Sequence, residues 1–388
     1  MIDSTHLTTK PEDLGIDPER LEAVFARAKR DVDDGILPSA QVAVARHGRI
    51  AGMRTFGSAV QGGTERPASD ETLYHIFSCT KAIVASAAWL LFESGDLRLD
   101  ERVAEIIPEF GTNGKDVITV EQLMLHAGGF PLAPFKPEQW GDRAALLEAF
   151  SHWRLNWPVD SRYEYHPTSA HWVLVEIIER RSGVEWKRFI HERITGPMKL
   201  DELYIGCPMN QQHRVADVVH IGEPVEPPGG WGEVTPEFIE RFNRPWQRAA
   251  GAPGASGVAS AASLALFYQP LIHGGVTADG TRIMKSETIE FATRVRSKPH
   301  HIEQVAGISP NRGLSIVVAG EDGNAALRGF GRTCSPRAIG HGGAGGQIAW
   351  GDPATGISLG YCTNGFVDAM TMGRRLTAIG SLAGSCVL

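Results

Sequence analysis

Phe77-Ser78-Cys79-Thr80-Lys81-Ala82-Ile83-Val84-Ala85-Ser86-Ala87-Ala88-Trp89-Leu90-Leu91-Phe92-Glu93-Ser94-Gly95 is the stretch that decides how this chain folds. It is rich in Ala and Leu, carries no Pro, and ends at Gly95, where a left-handed residue would close the last turn. These signals predict a helix. Apolar residues lie on every side of it, with Lys81, Glu93 and a few small hydroxyls as the polar exceptions, so the helix belongs in the core. A lysine in its first turns then needs a reason. Ser78 and Lys81, three residues apart, share one helix face with Cβ atoms about 5–6 Å apart. A serine hydroxyl is a poor nucleophile until a base takes its proton. A desolvated lysine can be that base, because burial disfavours its charged form. At a helix start Ser78 would also have free backbone N–H groups beside it for a developing oxyanion. The plain alternative is a capping serine and a lysine that snorkels to water.

The whole chain of 388 residues can bury a large core and carries a formal net charge of −7. No long Lys/Arg block occurs, which argues against nucleic acid or an anionic membrane as partner and favours a small-molecule substrate. Met1 to His6 has neither a basic start nor an apolar core, and no apolar run approaches membrane-spanning length, so a cytoplasmic location is expected. Cys79, Cys207, Cys334, Cys362 and Cys386 form no C-x-x-C pair. Reduced thiols and no metal or other cofactor are expected.

Asp17-Pro18 opens a helix whose apolar face is Leu21, Val24, Phe25 and Ala28. Residues 40–46 and 49–56 then read as a hairpin through His47-Gly48. From Leu73 to about His300 the pattern is mainly helical, broken by loops rich in Pro, Gly and Trp. Within it, Thr119 and Gln122 are spaced as a capping box ahead of His126, which reads as a structural histidine. Beyond Ser297 strands return at residues 314–318, 346–350 and 357–362, followed by a helix from about Asp368 to Leu382. The expectation is an α+β fold with an antiparallel sheet built from residues 1–72 and 301–388, flanked by helices, with 73–300 as an inserted, mainly helical domain.

Three motifs stand in order: Ser78-x-x-Lys81, Tyr165 at a loop–helix junction, and His341-Gly342-Gly343-Ala344 opening a strand. Together they resemble the serine β-lactamase and penicillin-binding protein superfamily, and more closely its class C-like esterases (family VIII carboxylesterases) and D-amino-acid peptidases. The resemblance extends over nearly the whole chain, with residues 118–130 and the glycine turn 254–260 in matching places. It implies that Ser78 is the acylated nucleophile, Lys81 its proton partner and Tyr165 the second-motif tyrosine, with Tyr163 as a rival. It further implies an oxyanion hole from the amides of Ser78 and Ala344, and substrate binding along His341, Gly342, Gly343 and His166.

Two departures bear on the substrate. Pro167 stands where the family's β-lactamases and transpeptidases carry Asn, and His341 where they usually carry the Lys of Lys-Thr-Gly. Both missing groups would bind the amide or carboxylate of a β-lactam, so carboxylic esters become the expected substrates, with small amides, D-peptides or weak β-lactam hydrolysis as alternatives. Other hydrolase classes lack their motifs. No Gly-x-Ser-x-Gly occurs, and His191-Glu192-Arg193-Ile194-Thr195 has Thr where a zinc protease needs its second His. Cys79, one residue on from Ser78, would face about 100° away on a helix. A protein that is acylated and never turns over, a sensor, would share the same motifs.

Overall fold

Leu21, Val24, Phe25 and Ala28 recur at helical spacing, and the helix Pro18–Asp33 buries all four. Asp17 caps it by accepting from the amides of Glu19 and Arg20. In this computed structural model, which describes residues 3–8, 10–226, 230–231, 234–297, 300–302 and 307–388, that helix lies beside the C-terminal helix Ala369–Gly384 on one face of an antiparallel sheet. The strand order is Thr64–Pro67, Arg49–Gln61, Ser39–Arg46, Ile357–Thr363, Gln347–Gly351, Ile339–Gly343, Ile316–Val318 and Arg312–Gly313. Both ends of the chain therefore share one sheet, joined where Val42 pairs with Tyr361. This is the expected α+β architecture, an open antiparallel sheet flanked by helices with a helical region inserted between its halves.

Strand alternation divides the core. Val42 and Val44 face the layer holding the two terminal helices, whereas Ala43 and Ala45 face the layer holding the helix Ala261–Ile272. Ala43, Gly360 and Ala349 are partners across three strands, so a row of small residues runs beneath that helix. The approach is very close. A Cβ on Gly360 would lie 2.0 Å from the carbonyl oxygen of Ala261.

The helix expected from the opening stretch spans Thr80–Ser94 and closes at Gly95 in the left-handed conformation, φ 81°. Every residue from Thr80 to Leu91 is buried. Two details differ from the sequence reading. Ser78 sits in the turn before the helix, with Cys79 in the cap position. Residues Tyr74–Phe77, expected to belong to helical pattern, form a strand paired with Gly257–Ala259, which pairs in turn with Leu203–Ile205. All four residues of that strand are buried, so it lacks the polar alternation that marks a half-exposed strand. The capping box of Thr119 and Gln122 forms as expected. All five cysteines are free thiols. Among the described residues no helix is long and apolar enough to cross a membrane.

The row of small residues makes a sharp expectation. Gly360→Ala should destabilise the fold by about 1–3 kcal/mol, the usual range for overpacking against a fixed neighbour. Denaturant unfolding should show a lower midpoint with an unchanged slope. An unchanged midpoint would mean that the helix Ala261–Ile272 can lift freely off the sheet.

Candidate active site

Phe77 has φ 43°, a left-handed conformation that a bulky residue adopts only under constraint and at about 1–3 kcal/mol. The constraints are visible. Thr80 Oγ1 donates to the Phe77 carbonyl at 2.5 Å and accepts from the Gly257 amide at 2.9 Å. The Phe77 ring packs edge-on against Phe242 and Phe366. The turn that follows leaves Ser78 half-buried at the wall of a cavity of about 850 Å³, while Cys79 turns inward. The Cys79 thiol is 1% exposed, donates to the His341 carbonyl, and is pushed up to about 12 by burial, which leaves it a packing group.

Lys81 is fully buried. Its Nζ lies 3.2 Å from Ser78 Oγ and 2.7 Å from each of two carbonyl oxygens, those of Pro167 and Gly254. Its hydrogens point to these carbonyls, and the amine and the serine hydroxyl are in direct hydrogen-bond contact. Tyr165 is the nearer of the two candidate tyrosines to this amine, with its ring centroid 5.0 Å from Lys81 Nζ. Burial pushes its phenol up to about 12, against opposing pulls from Arg312 and from the nearby Ser78 hydroxyl, and with a small push from Cys79. It is therefore a phenol at rest. Tyr163, also on the cavity wall, lies beside Arg312 and His126.

The structure brings Ser78, Tyr165, His341, Gly342, Gly343 and Ala344 to the same cavity. The strand Ile339–Gly343 runs alongside the residues preceding the serine so closely that a Cβ on Gly343 would lie 2.4 Å from the Ile76 carbonyl oxygen. His166 does not join them. It is 1% exposed, its Nε2 accepts from the Phe130 amide at 3.1 Å, and its Nδ1 therefore carries the hydrogen and donates to the Glu164 carbonyl at 2.7 Å. With both nitrogens used on backbone, His166 fixes the loop that carries Tyr165 and does not line the cavity. His126 does the same from the other side, its Nδ1 accepting from the His166 amide.

His341, expected to lie along the bound substrate, lines the cavity with both ring nitrogens engaged. Its Nε2 is 3.0 Å from Arg312 Nη1, and a guanidinium can only donate, so Nε2 accepts and the proton sits on Nδ1, which donates to the Gly342 carbonyl at 2.7 Å. Arg312 is the residue that sequence reasoning missed. It is 8% exposed, lines the cavity, and holds its guanidinium carbon 5.2 Å from the centre of the Tyr165 ring. The outer wall is apolar, formed by Pro131, Leu132, Trp157, Trp231, Val234 and Phe238, in part the Trp- and Pro-rich loops singled out in the sequence. Arg162 stacks on Trp157 at 3.6 Å. Among the described residues no cluster of His, Cys, Asp or Glu could hold a metal ion.

Five buried histidines, His75, His126, His166, His171 and His341, are all held below the ordinary imidazole range, with burial the largest cause in each. For His166 the value is about 4. In the unfolded chain these groups titrate near 6.5, so below that pH the unfolded state binds protons that the folded state refuses. Their neutral burial is compatible with full stability above about pH 6.5, and stability is lost as pH falls, each histidine adding up to about 1.4 kcal/mol per pH unit. Calorimetric unfolding at pH 5.5 in buffers of different ionisation enthalpy should show uptake of at least about four protons. Uptake of one or none would mean that these imidazoles are charged in the fold.

A family model described as Beta-lactamase matches residues 24–383. Over 328 residues the chain is 26% identical to the esterase/beta-lactamase LipL of Mycobacterium tuberculosis, covering 79% of this chain and 72% of that protein. Among solved structures, a penicillin-binding protein homolog from Caulobacter crescentus superposes with a TM-score of 0.77 at 28% identity, covering 95% of this chain and 99% of that one. A family VIII carboxylesterase superposes with a TM-score of 0.74 at 24% identity, covering 95% and 99%, a likeness of fold.

Proposed function

Because the chain belongs to the beta-lactamase family, we propose that it is a serine hydrolase of the esterase-like branch, cleaving carboxylic esters through an acyl-enzyme on Ser78. The observation that carries this reading is the contact between Lys81 Nζ and Ser78 Oγ, with the other two directions around the amine taken by backbone carbonyls. A lysine in contact with the serine hydroxyl and desolvated by burial is placed to accept the serine proton.

In acylation Ser78 Oγ attacks the ester carbonyl carbon while its proton passes to Lys81. The oxyanion is met by the backbone N–H groups of Ser78 and Ala344. The C–O bond to the alcohol then breaks, and the departing oxygen takes the phenol proton of Tyr165. The acyl-enzyme so formed carries a Lys81 ammonium and a Tyr165 phenolate. In deacylation water attacks the acyl carbon and gives its proton to the phenolate. Ser78 Oγ leaves with the proton from Lys81, and both groups return to their resting states.

Esters are favoured over β-lactams by what the site holds. His341 is neutral with both nitrogens engaged, and Arg312 is turned to His341 and the two tyrosines. No lysine stands on the strand motif to hold a lactam's carboxylate. The apolar outer wall favours a bulky apolar group on the substrate. The name of LipL joins esterase and beta-lactamase, and both activities are therefore to be measured side by side.

A fluorophosphonate probe should add its mass to the peptide bearing Ser78, and Ser78→Ala should abolish both labelling and turnover. Labelling at another serine would overturn the assignment. Lys81→Arg should lower acylation by at least about a hundredfold, since guanidinium stays protonated at neutral pH. On a short p-nitrophenyl ester kcat/KM should exceed that on a chromogenic cephalosporin by orders of magnitude. Comparable values would favour a β-lactamase instead, and labelling with no turnover of any ester, lactam or D-peptide would favour an acylated sensor.

A further inference from the structure

Tyr165 must carry a negative charge for the lifetime of the acyl-enzyme if the cycle above holds, and it must do so in a buried place. Anions are stabilised there by fixed positive charge close by. The groups facing the ring are Lys81, with Nζ at 5.0 Å from the ring centre, Arg312, with its guanidinium carbon at 5.2 Å, and the rings of His126 and His341 at 4.7 and 6.2 Å. Ser78, Cys79 and Tyr163 also lie beside it. Both imidazoles are neutral, and Lys81 has its hydrogens committed to Pro167, Gly254 and, once protonated, Ser78. Of this set, Arg312 brings a charge that does not depend on the catalytic proton, because guanidinium is protonated at every working pH.

How Arg312 is held supports the same role. It lies in a two-residue strand at the sheet edge, Arg312–Gly313, and its backbone amide is fixed by Ser297 Oγ at 2.9 Å. Its Nη1 donates to His341 Nε2. His341 can accept because its other nitrogen has given its hydrogen to the Gly342 carbonyl. The histidine of the strand motif is thus an anchor for the arginine. Resting on the reading of Ser78, Lys81 and Tyr165 given above, we propose that Arg312 is a positioning residue for the reaction: held by His341, its charge stabilises the Tyr165 phenolate between departure of the alcohol and attack of water.

The consequence is specific to one half of the cycle. Without Arg312 the phenolate captures a solvent proton at neutral pH, the base for deacylation is lost, and the acyl-enzyme accumulates. In Arg312→Gln, kcat on a p-nitrophenyl ester should fall about ten- to a hundredfold, and by more than kcat/KM. The rising limb of its pH profile should move up by about one unit, so that the deficit narrows in alkali. Intact-protein mass spectrometry of the variant with excess ester should show the acylated species, which the wild type clears. Arg312→Lys, which keeps the charge, should return the limb most of the way. His341→Leu releases the arginine from its anchor and should shift the limb in the same direction, which keeps the test available if Arg312→Gln does not fold. A loss in Arg312→Gln that is constant across pH, or equal behaviour of the Gln and Lys variants, would show a packing role and overturn the proposal. The probe separates this outcome from failure of the nucleophile assignment. Fluorophosphonate labelling of Ser78 in the wild type tests the nucleophile, while the pH limb and the accumulated acyl-enzyme test Arg312.

Discussion

A lysine amine buried without partners is unstable in a protein interior, and Lys81 is fully buried. Its two carbonyl acceptors come from distant parts of the chain, Pro167 in the loop after Tyr165 and Gly254 in the turn before the strand Gly257–Ala259. One amine therefore ties together the serine turn, the tyrosine loop and the glycine turn. None of these segments could shift without leaving a buried polar group unmet. The second anchor is Thr80, whose hydroxyl bridges the Phe77 carbonyl and the Gly257 amide and so helps to hold Phe77 in its unusual backbone conformation. Residues that attract no notice as chemistry thus set the place of the candidate catalytic groups.

Neutral histidines extend this frame outward. His126 and His166 link the loop at Phe130 to the loop at Tyr165 through backbone amides and carbonyls. His166 uses its imidazole as a two-ended connector, one nitrogen accepting and the other donating its hydrogen, which only the uncharged form can do, while His126 contributes an accepting Nδ1. The same logic governs His341, whose acceptor face exists only while the ring is neutral. Electrostatic conditions around Tyr165 are consequently set by covalent structure and packing.

Local spacing made much of this legible. Ser78 and Lys81 are three residues apart, so one turn leading into an apolar helix that closes at Gly95 is enough to bring them together. The strand Gln347–Gly351 turning into Ile357–Thr363 and the capped helices at both ends were equally local. Arg312 was not legible, because its meaning lies in contacts with Tyr165 and His341, 147 and 29 residues away, and its own strand is too short to leave a periodic trace. The strand Tyr74–Phe77 escaped for a related reason, since burial on both sides removes the alternation by which strands are recognised. The position of His166 beside Tyr165 is visible in sequence, but the direction of its ring depends on the amide of Phe130.

Leu132 and Leu327 at the cavity wall are 56% and 68% exposed, and with Pro131, Trp157 and Val234 they supply surface without supplying any group to the bond-making atoms. On the function proposed above, selectivity and rate are written on separate stretches of the chain. On that proposal, exchange of these wall residues would alter which acyl or alcohol groups fit while the serine turn, its lysine and its tyrosine stay in register. A scaffold divided in this way can drift between substrates through neutral steps, because each change to the wall leaves a working centre behind it.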